Sequence, residues 1–165
     1  MRVDLELSGL NGVLETLKSL PPEIVSKRGG PVKSALRKGA RVIFLQAKRN
    51  LEQVTANASD EGKRYSTGFL LKNLVVTRGK PPISSKGERY LVRVRRKSYN
   101  RKGKSVTTLA TANLLEYGSV KQPMEPWIRP AFQAKAAEAI RTTETELLKQ
   151  IDKVIKKLAQ QNKGK

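Results

Sequence analysis

Residues 114–131 read Leu114-Leu115-Glu116-Tyr117-Gly118-Ser119-Val120-Lys121-Gln122-Pro123-Met124-Glu125-Pro126-Trp127-Ile128-Arg129-Pro130-Ala131, and how this stretch joins a short apolar segment to the last long helix decides the fold. Pro123, Pro126 and Pro130 each fix φ, remove a backbone donor and push the preceding residue toward extended conformations. Residues 122–129 are therefore predicted to form a stiff, non-helical connector, with Pro130 at the first position of the helix that follows. Trp127 is the only tryptophan in the chain. An indole of that size seldom stays in water, so Trp127 is an anchor that either pins the connector to its own core or docks into a neighbouring subunit. Glu116, just ahead of the aromatic-glycine pair Tyr117-Gly118, is placed to cap a helix or to pair with Arg129. Arg129, held between Ile128 and Pro130, is equally suited to a bidentate contact with a neighbour's carboxylate.

Downstream of the connector, Phe132, Ala136, Ile140, Leu147, Ile151, Val154 and Leu158 mark one stripe of a helix over residues 130–159. Residues 160–165 are expected to fray as a flexible basic tail. Upstream, residues 110–117 read as a short helix with Gly118 as its cap. Residues 88–97 carry the clearest strand signal, with Tyr90, Val92 and Val94 on one face and Arg89, Leu91, Arg93 and Arg95 mostly on the other. This strand is predicted to pair with residues 105–109 across a basic loop at 98–104.

Further upstream, Val3, Leu5 and Leu7 alternate with polar residues as in a half-buried strand, and residues 10–20 follow helical spacing until Pro21-Pro22. After Gly29-Gly30-Pro31, the positions Val32, Leu36, Ala40, Ile43, Ala47, Leu51 and Val54 step by threes and fours along a long central helix. Its other faces carry Lys33, Arg37, Lys38, Arg41, Lys48 and Arg49, a solvated face by preference. Phe44 and Leu45 widen the apolar side toward a second packing partner, either the terminal helix or another subunit. Residues 55–64 are polar and loop-like. Phe69, Leu70, Leu71 and Leu74 can share a helical side, and residues 73–77 can be a strand through Leu74, Val75 and Val76, broken after Arg78 by Gly79-Lys80-Pro81-Pro82.

At 165 residues, 38% hydrophobic, the chain suits one domain with one modest core, taken as residues 1–159. Lys plus Arg number 34 against 14 acids, a formal charge of +20. That imbalance opposes close self-approach of exposed surfaces and favours polyanions, chiefly nucleic acid. The charge concentrates in Lys86, Arg89, Arg93, Arg95, Arg96, Lys97, Arg101, Lys102 and Lys104, with Glu88 the single acid among them. This patch is a candidate contact for DNA or for an acidic partner, and Tyr90 and Tyr99 within it raise the idea of stacking on single strands. The amino terminus lacks a signal-peptide core and no run approaches the ~20 apolar residues of a membrane span, so a cytoplasmic chain without membrane contact is expected.

The chain has no cysteine and no histidine. Disulfides, thiolate chemistry, Ser-His-Asp sites and ordinary zinc sites are thereby excluded, and no cofactor is expected. Gly103-Lys104-Ser105 imitates the end of a phosphate-binding loop but lacks the glycine five residues earlier, where Ser98 stands. Asp60-Glu61-Gly62-Lys63 offers a Glu-x-Lys pair of the kind used in magnesium nucleases, without a second strand-borne carboxylate. A solvated loop is the preferred reading, and no catalytic residue is assigned.

The Tyr117-Gly118 turn, the Pro123-x-x-Pro126-Trp127-x-Arg129-Pro130-Ala131 segment, the amphipathic last helix and Thr67-Gly68-Phe69-Leu70 together resemble the neck and tail-completion proteins of long-tailed bacteriophages with non-contractile tails. The order of elements agrees over residues 3–158, while Arg64-Tyr65-Ser66 replaces a proline and an acidic residue often found there. The resemblance implies an α+β subunit with two long amphipathic helices packed on a small antiparallel sheet, with long loops. It implies a structural role in the virion after assembly in the bacterial cytoplasm. Copies would form a ring, a hexamer in preference to a dodecamer, that completes the tail and joins it to the head. Its partners would be itself, the head-tail connector, the tail terminator or tube proteins, and double-stranded DNA in the channel. Interface residues would be Tyr117, Gly118, Pro123, Pro126, Trp127, Arg129 and Pro130. The alternative is a free-standing, basic nucleic-acid-binding accessory protein.

Overall fold

In a computed structural model, residues 30–57, 68–80, 88–101 and 103–163 are described. The expected strand at 3–7, the helix at 10–20, the Asp60-Lys63 loop, Thr67, Lys86 and Lys102 lie outside the described residues. Pro31 opens helix α1 (Pro31–Asn57), a position where its missing N–H costs nothing because first-turn donors have no intrahelical acceptor. Lys33 N and Ser34 N reach back to the Gly30 carbonyl. The last helix, α4, spans Ile128–Lys163. It starts two residues before Pro130 and runs past residue 160, where fraying was expected. Pro130 is the third helical residue, still within the turn whose donors need no internal partner.

α1 and α4 pack antiparallel. Lys38 pairs with Glu146, Gly39 faces Ala139 and Thr143, and Asn50 Nδ2 donates to the Trp127 carbonyl at 3.0 Å. The seam keeps Ala47, Leu51, Leu147 and Ile151 of the predicted stripes and departs from them at the other buried positions. On α1 the buried positions are Ala35, Gly39, Ala47 and Leu51, and on α4 they include Ala131, Ala139, Leu147 and Ile151, while Phe132 is 52% exposed. The reason lies at Gly39, where a Cβ would stand 2.0 Å from Thr143 Oγ1 and 2.7 Å from the Ala139 carbonyl oxygen. At that crossing the backbones approach so closely that small residues, Gly39 and Ala139, line the contact, while Leu51, Leu147 and Ile151 fill it further along. Phe44 joins the core, whereas Leu45 stays 43% exposed.

Gly68, at φ 63°, precedes a single turn, α2 (Phe69–Asn73), and Leu74 then begins strand β1 (Leu74–Gly79) as a buried strand residue rather than as part of the helix. β1 pairs antiparallel with β2 (Arg89–Val94), in register from Leu74 opposite Val94 to Gly79 opposite Arg89. The predicted partner of β2, residues 105–109, pairs elsewhere. The segment read as a basic loop folds on itself as β3 (Ser98–Arg101) and β4 (Lys104–Thr107), with Gly103 at φ 77° where the chain reverses. A local hairpin closes with little loop entropy, and β1 offers β2 a partner of equal length, tied at its far end by the Arg78–Glu88 pair. The fold is thus α+β, with two small antiparallel sheets in place of one.

Thr108 links these pieces. It opens helix α3 (Thr108–Tyr117), whose first turn is capped by Thr107 Oγ1 accepting from Ala110 N at 3.2 Å. The Thr108 side chain is fully buried, donating to the Arg95 carbonyl at 2.5 Å and accepting from Lys97 N at 2.9 Å. One hydroxyl therefore satisfies two backbone groups of the link between β2 and β3.

Candidate assembly interface

The core converges on Trp127, which is 1% exposed and packs in one cluster with Ala47 and Leu51 of α1, Leu74 of β1, Ala112 of α3 and Ala131 of α4. Phe44, Leu70, Leu71, Val92, Val94, Leu115 and Ile128 border it. Of the two destinations open to the indole, the chain's own core is the one it takes. As an exposed anchor for a neighbour, Trp127 is corrected: its surface is already used. Its Nε1 has no hydrogen-bond partner among the described residues.

Glu116 holds the connector shut. Its carboxylate is 4% exposed, buried at the end of α3, and points into the N-terminus of α4. Oε2 accepts from Trp127 N at 2.8 Å and Ile128 N at 3.0 Å, and Oε1 accepts from Arg129 N at 3.1 Å and Arg129 Nε at 2.7 Å. Arg129 Nη2 donates to the Glu116 carbonyl at 2.9 Å. Trp127 occupies the cap position of α4 but carries no acceptor, so a carboxylate from another helix satisfies the orphan donors and meets the positive end of the helix dipole. Burial pushes the Glu116 carboxyl up, but the N–H groups of Ile128 and Trp127 and the Arg129 guanidinium and N–H outweigh it, leaving the group below the usual carboxylate range. Both roles foreseen for Glu116, cap and partner of Arg129, are filled at once. The Arg129 guanidinium therefore meets its own chain's carboxylate and lies 4.9 Å over the Tyr117 ring.

Between these fixed ends the chain makes a protruding turn. Gly118 N donates to the Leu114 carbonyl at 2.8 Å, which closes α3 as expected. With φ at 72° and a would-be Cβ 2.8 Å from Met124 N, the position admits glycine alone. Ser119 and Gln122 bridge, and Glu125 N donates to the Leu115 carbonyl at 2.8 Å. The turn so held exposes Tyr117 at 65%, Met124 at 64% and Val120 completely. Pro123 and Pro126 are also exposed, and Pro130 is half-buried. The fold thus gathers Tyr117, Gly118, Pro123, Pro126, Arg129 and Pro130 around one clamp. Val120 and Met124, exposed beside Tyr117, were not singled out in the sequence, since nothing local marks which apolar residues of a turn face outward. Asn50, which fixes the Trp127 carbonyl from 77 positions away, carries no sequence signal.

A shallow, open depression beside the clamp is lined by Asn50, Gln53, Val54, Asn57, Glu125, Pro126 and Pro130. Among the described residues, no three acidic, histidine or cysteine side chains gather as a metal site would require, and no helix is long and apolar enough to cross a membrane. Gly103-Lys104-Ser105 forms the reversal of a hairpin and the first residues of its second strand, not a strand-to-helix phosphate loop. The basic residues lie apart from the clamp, on β2, on the link after it and on the β3–β4 hairpin, where Arg89, Arg93, Arg95, Arg96, Lys97, Arg101 and Lys104 are all exposed. Tyr90 is half-buried, and Tyr99 packs its ring against Phe69 at 5.4 Å while its hydroxyl bonds Thr111 at 2.6 Å. No protein-family model, curated protein or solved structure matches this chain.

Proposed function

We propose that this protein is a non-catalytic structural subunit of a bacteriophage neck, assembling into a ring that completes the tail and joins it to the head. The observation that carries the reading is the protruding turn of residues 118–124, whose apolar tip is exposed while both of its ends are locked by a buried carboxylate. Apolar groups fixed at the surface lose little conformational entropy on docking, which is what a repeated contact between copies requires. The sequence supports the same reading, since Glu116-Tyr117-Gly118 and the proline-tryptophan-arginine segment that resemble the neck proteins are the residues that build this clamp.

The charge also constrains the contact. Copies carrying a formal +20 repel one another over a range of about 8 Å at physiological ionic strength, so apolar groups such as the exposed Val120 and Met124 are suited to the faces that meet. A hexameric ring with the head-tail connector and the tail terminator as neighbours is the assembly this reading implies. Catalysis has no part in it.

The test is the double variant Val120→Glu with Met124→Glu. Its fold should be unchanged, because both side chains are exposed, and its Trp127 fluorescence should match the wild type. Light scattering of the wild type, alone or with the connector, should give a ring-sized mass that the variant loses. Wild-type assembly by the variant, or a chain that a specific label never locates in the virion, would overturn the proposal.

A further inference from the structure

We propose that the end of β2, the link that follows it and the β3–β4 hairpin form a binding surface for the sugar-phosphate backbone of double-stranded DNA. This goes beyond the assembly reading and does not depend on it, since the surface is read from a single copy of the chain.

Three observations converge. The first is unpaired charge. Among the described residues, Arg89, Arg93, Arg95, Arg96, Lys97 and Lys104 are exposed and have no acidic partner, while the cations of α1 and α4 are in part neutralised, by Lys33–Glu88, Lys38–Glu146, Lys48–Glu52 and Lys135–Glu138. Guanidinium and ammonium groups left without a carboxylate are available to phosphate.

The second is rigid presentation. The backbone is tied on both sides of Arg96: Arg95 N donates to the Asn73 carbonyl at 2.8 Å, the Arg95 carbonyl accepts from Thr108 Oγ1 at 2.5 Å, and Lys97 N and its carbonyl bond Thr108 Oγ1 and Thr108 N, each at 2.9 Å. The backbone is thus held in place while the three consecutive cations, Arg95, Arg96 and Lys97, stay exposed. Arg89 and Arg93 add a row on one face of β2, roughly 13 Å apart at the strand's rise of about 3.3 Å per residue.

The third separates duplex from single strand. Binding to single strands relies on aromatic faces on which bases stack. The two tyrosines of this region are occupied, Tyr99 by Phe69 and Thr111 and Tyr90 by its half-buried place on β2. The surface therefore offers charge without a stacking platform, which suits the closely spaced phosphates of a duplex and gives little sequence preference.

The experiment is fluorescence anisotropy of the full chain with a labelled 25-base-pair duplex across a salt series, repeated with the single strand and with two unrelated sequences. If the six cations each displace a counterion, log K should fall with log salt at a slope of about −5, a loss of about a thousandfold between 50 and 200 mM. The triple variant Arg93→Gln, Arg95→Gln, Arg96→Gln should make the slope shallower by about 3. The variant Arg37→Gln, Arg41→Gln, Arg49→Gln removes the same charge from α1 and should leave the slope unchanged. Equal losses from both triple variants would overturn the assignment, showing general charge and no localised surface. Tighter binding to single strand than to duplex would overturn it in favour of stacking, and competition by polyglutamate at equal charge would overturn it in favour of an acidic protein partner. A failure of this assay leaves ring-sized mass untouched, so the two proposals fail separately.

Discussion

Replacing Glu116 by glutamine changes one atom of the clamp, and its cost can be worked from the geometry. Each carboxylate oxygen accepts from two donors, Trp127 N and Ile128 N on one, Arg129 N and Nε on the other. Glutamine keeps one oxygen and turns an NH2 group toward the remaining pair, so two donors within 3.1 Å lose their acceptor and face another donor. A buried donor left unsatisfied costs about 1–3 kcal/mol. Arg129 is half exposed and can turn to water, so its share is discounted, which leaves about 3 kcal/mol for Glu116→Gln. For a chain of this size that corresponds to a fall in Tm of about 6–12 °C. The assay is urea unfolding followed by the fluorescence of Trp127, which reports on this site because the chain has no other tryptophan. The effect also has a pH signature. The folded-state pKa of Glu116 lies below its ordinary value, so its contribution is fully present above the unfolded pKa of about 4.3 and is lost as pH falls through the lower folded value. The gap between wild type and variant should hold from pH 7 to about 5 and narrow as pH falls below the unfolded value of about 4.3. Glu88 and Glu146 are depressed as well, by Arg78 and Lys38, but they are common to both proteins and cancel in the difference. A variant within about 0.5 kcal/mol of wild type at pH 7, or a gap that does not narrow in acid, would refute the clamp.

Two further substitutions probe the packing. Gly39→Ala should stabilise an isolated helix by about 0.5–1 kcal/mol, yet here its Cβ meets the Ala139 carbonyl oxygen, so a net loss of about 1–3 kcal/mol is expected in urea melts. Adding Thr143→Ala should recover only part of that loss, because the carbonyl remains, and full recovery would place the conflict on the threonine hydroxyl alone. Trp127→Ala should cost about 3–5 kcal/mol in the isolated chain, read by circular dichroism. Intact folding combined with lost assembly would mean that the indole leaves the core to dock elsewhere.

Much of the fold was legible in the residues. The long helix beginning at the Gly29-Gly30-Pro31 break, the alternation of Tyr90, Val92 and Val94, the cap at Gly118 and the dual fitness of Glu116 follow from local stereochemistry and short-range pattern. The helix seam was legible only in part: Ala47, Leu51, Leu147 and Ile151 lie on the expected stripes and are buried, but a stripe of large apolar residues outweighs a glycine in any periodicity count, and only the approach of α4 shows that Gly39 must stay bare. Strand pairing was misread for a related reason. Residues 98–104 are charged enough to read as a loop, while the pairing of β2 with β1 is fixed by where α1 and Thr108 hold the two strands.

What the sequence determined by itself was a basic chain without histidine or cysteine chemistry, stiffened by prolines within 122–129, of which the last helix takes residues 128 and 129, and supplied with a single indole. Only the tertiary structure decided that the indole is spent on the core, that Glu116 caps a helix whose own cap position has no acceptor, and that Val120 and Met124 are what the turn displays. The physical reason is range: φ preferences and periodicity act over a few residues, whereas the bonds from Glu116 to residues 127–129 and from Asn50 to Trp127 exist only once distant helices have docked.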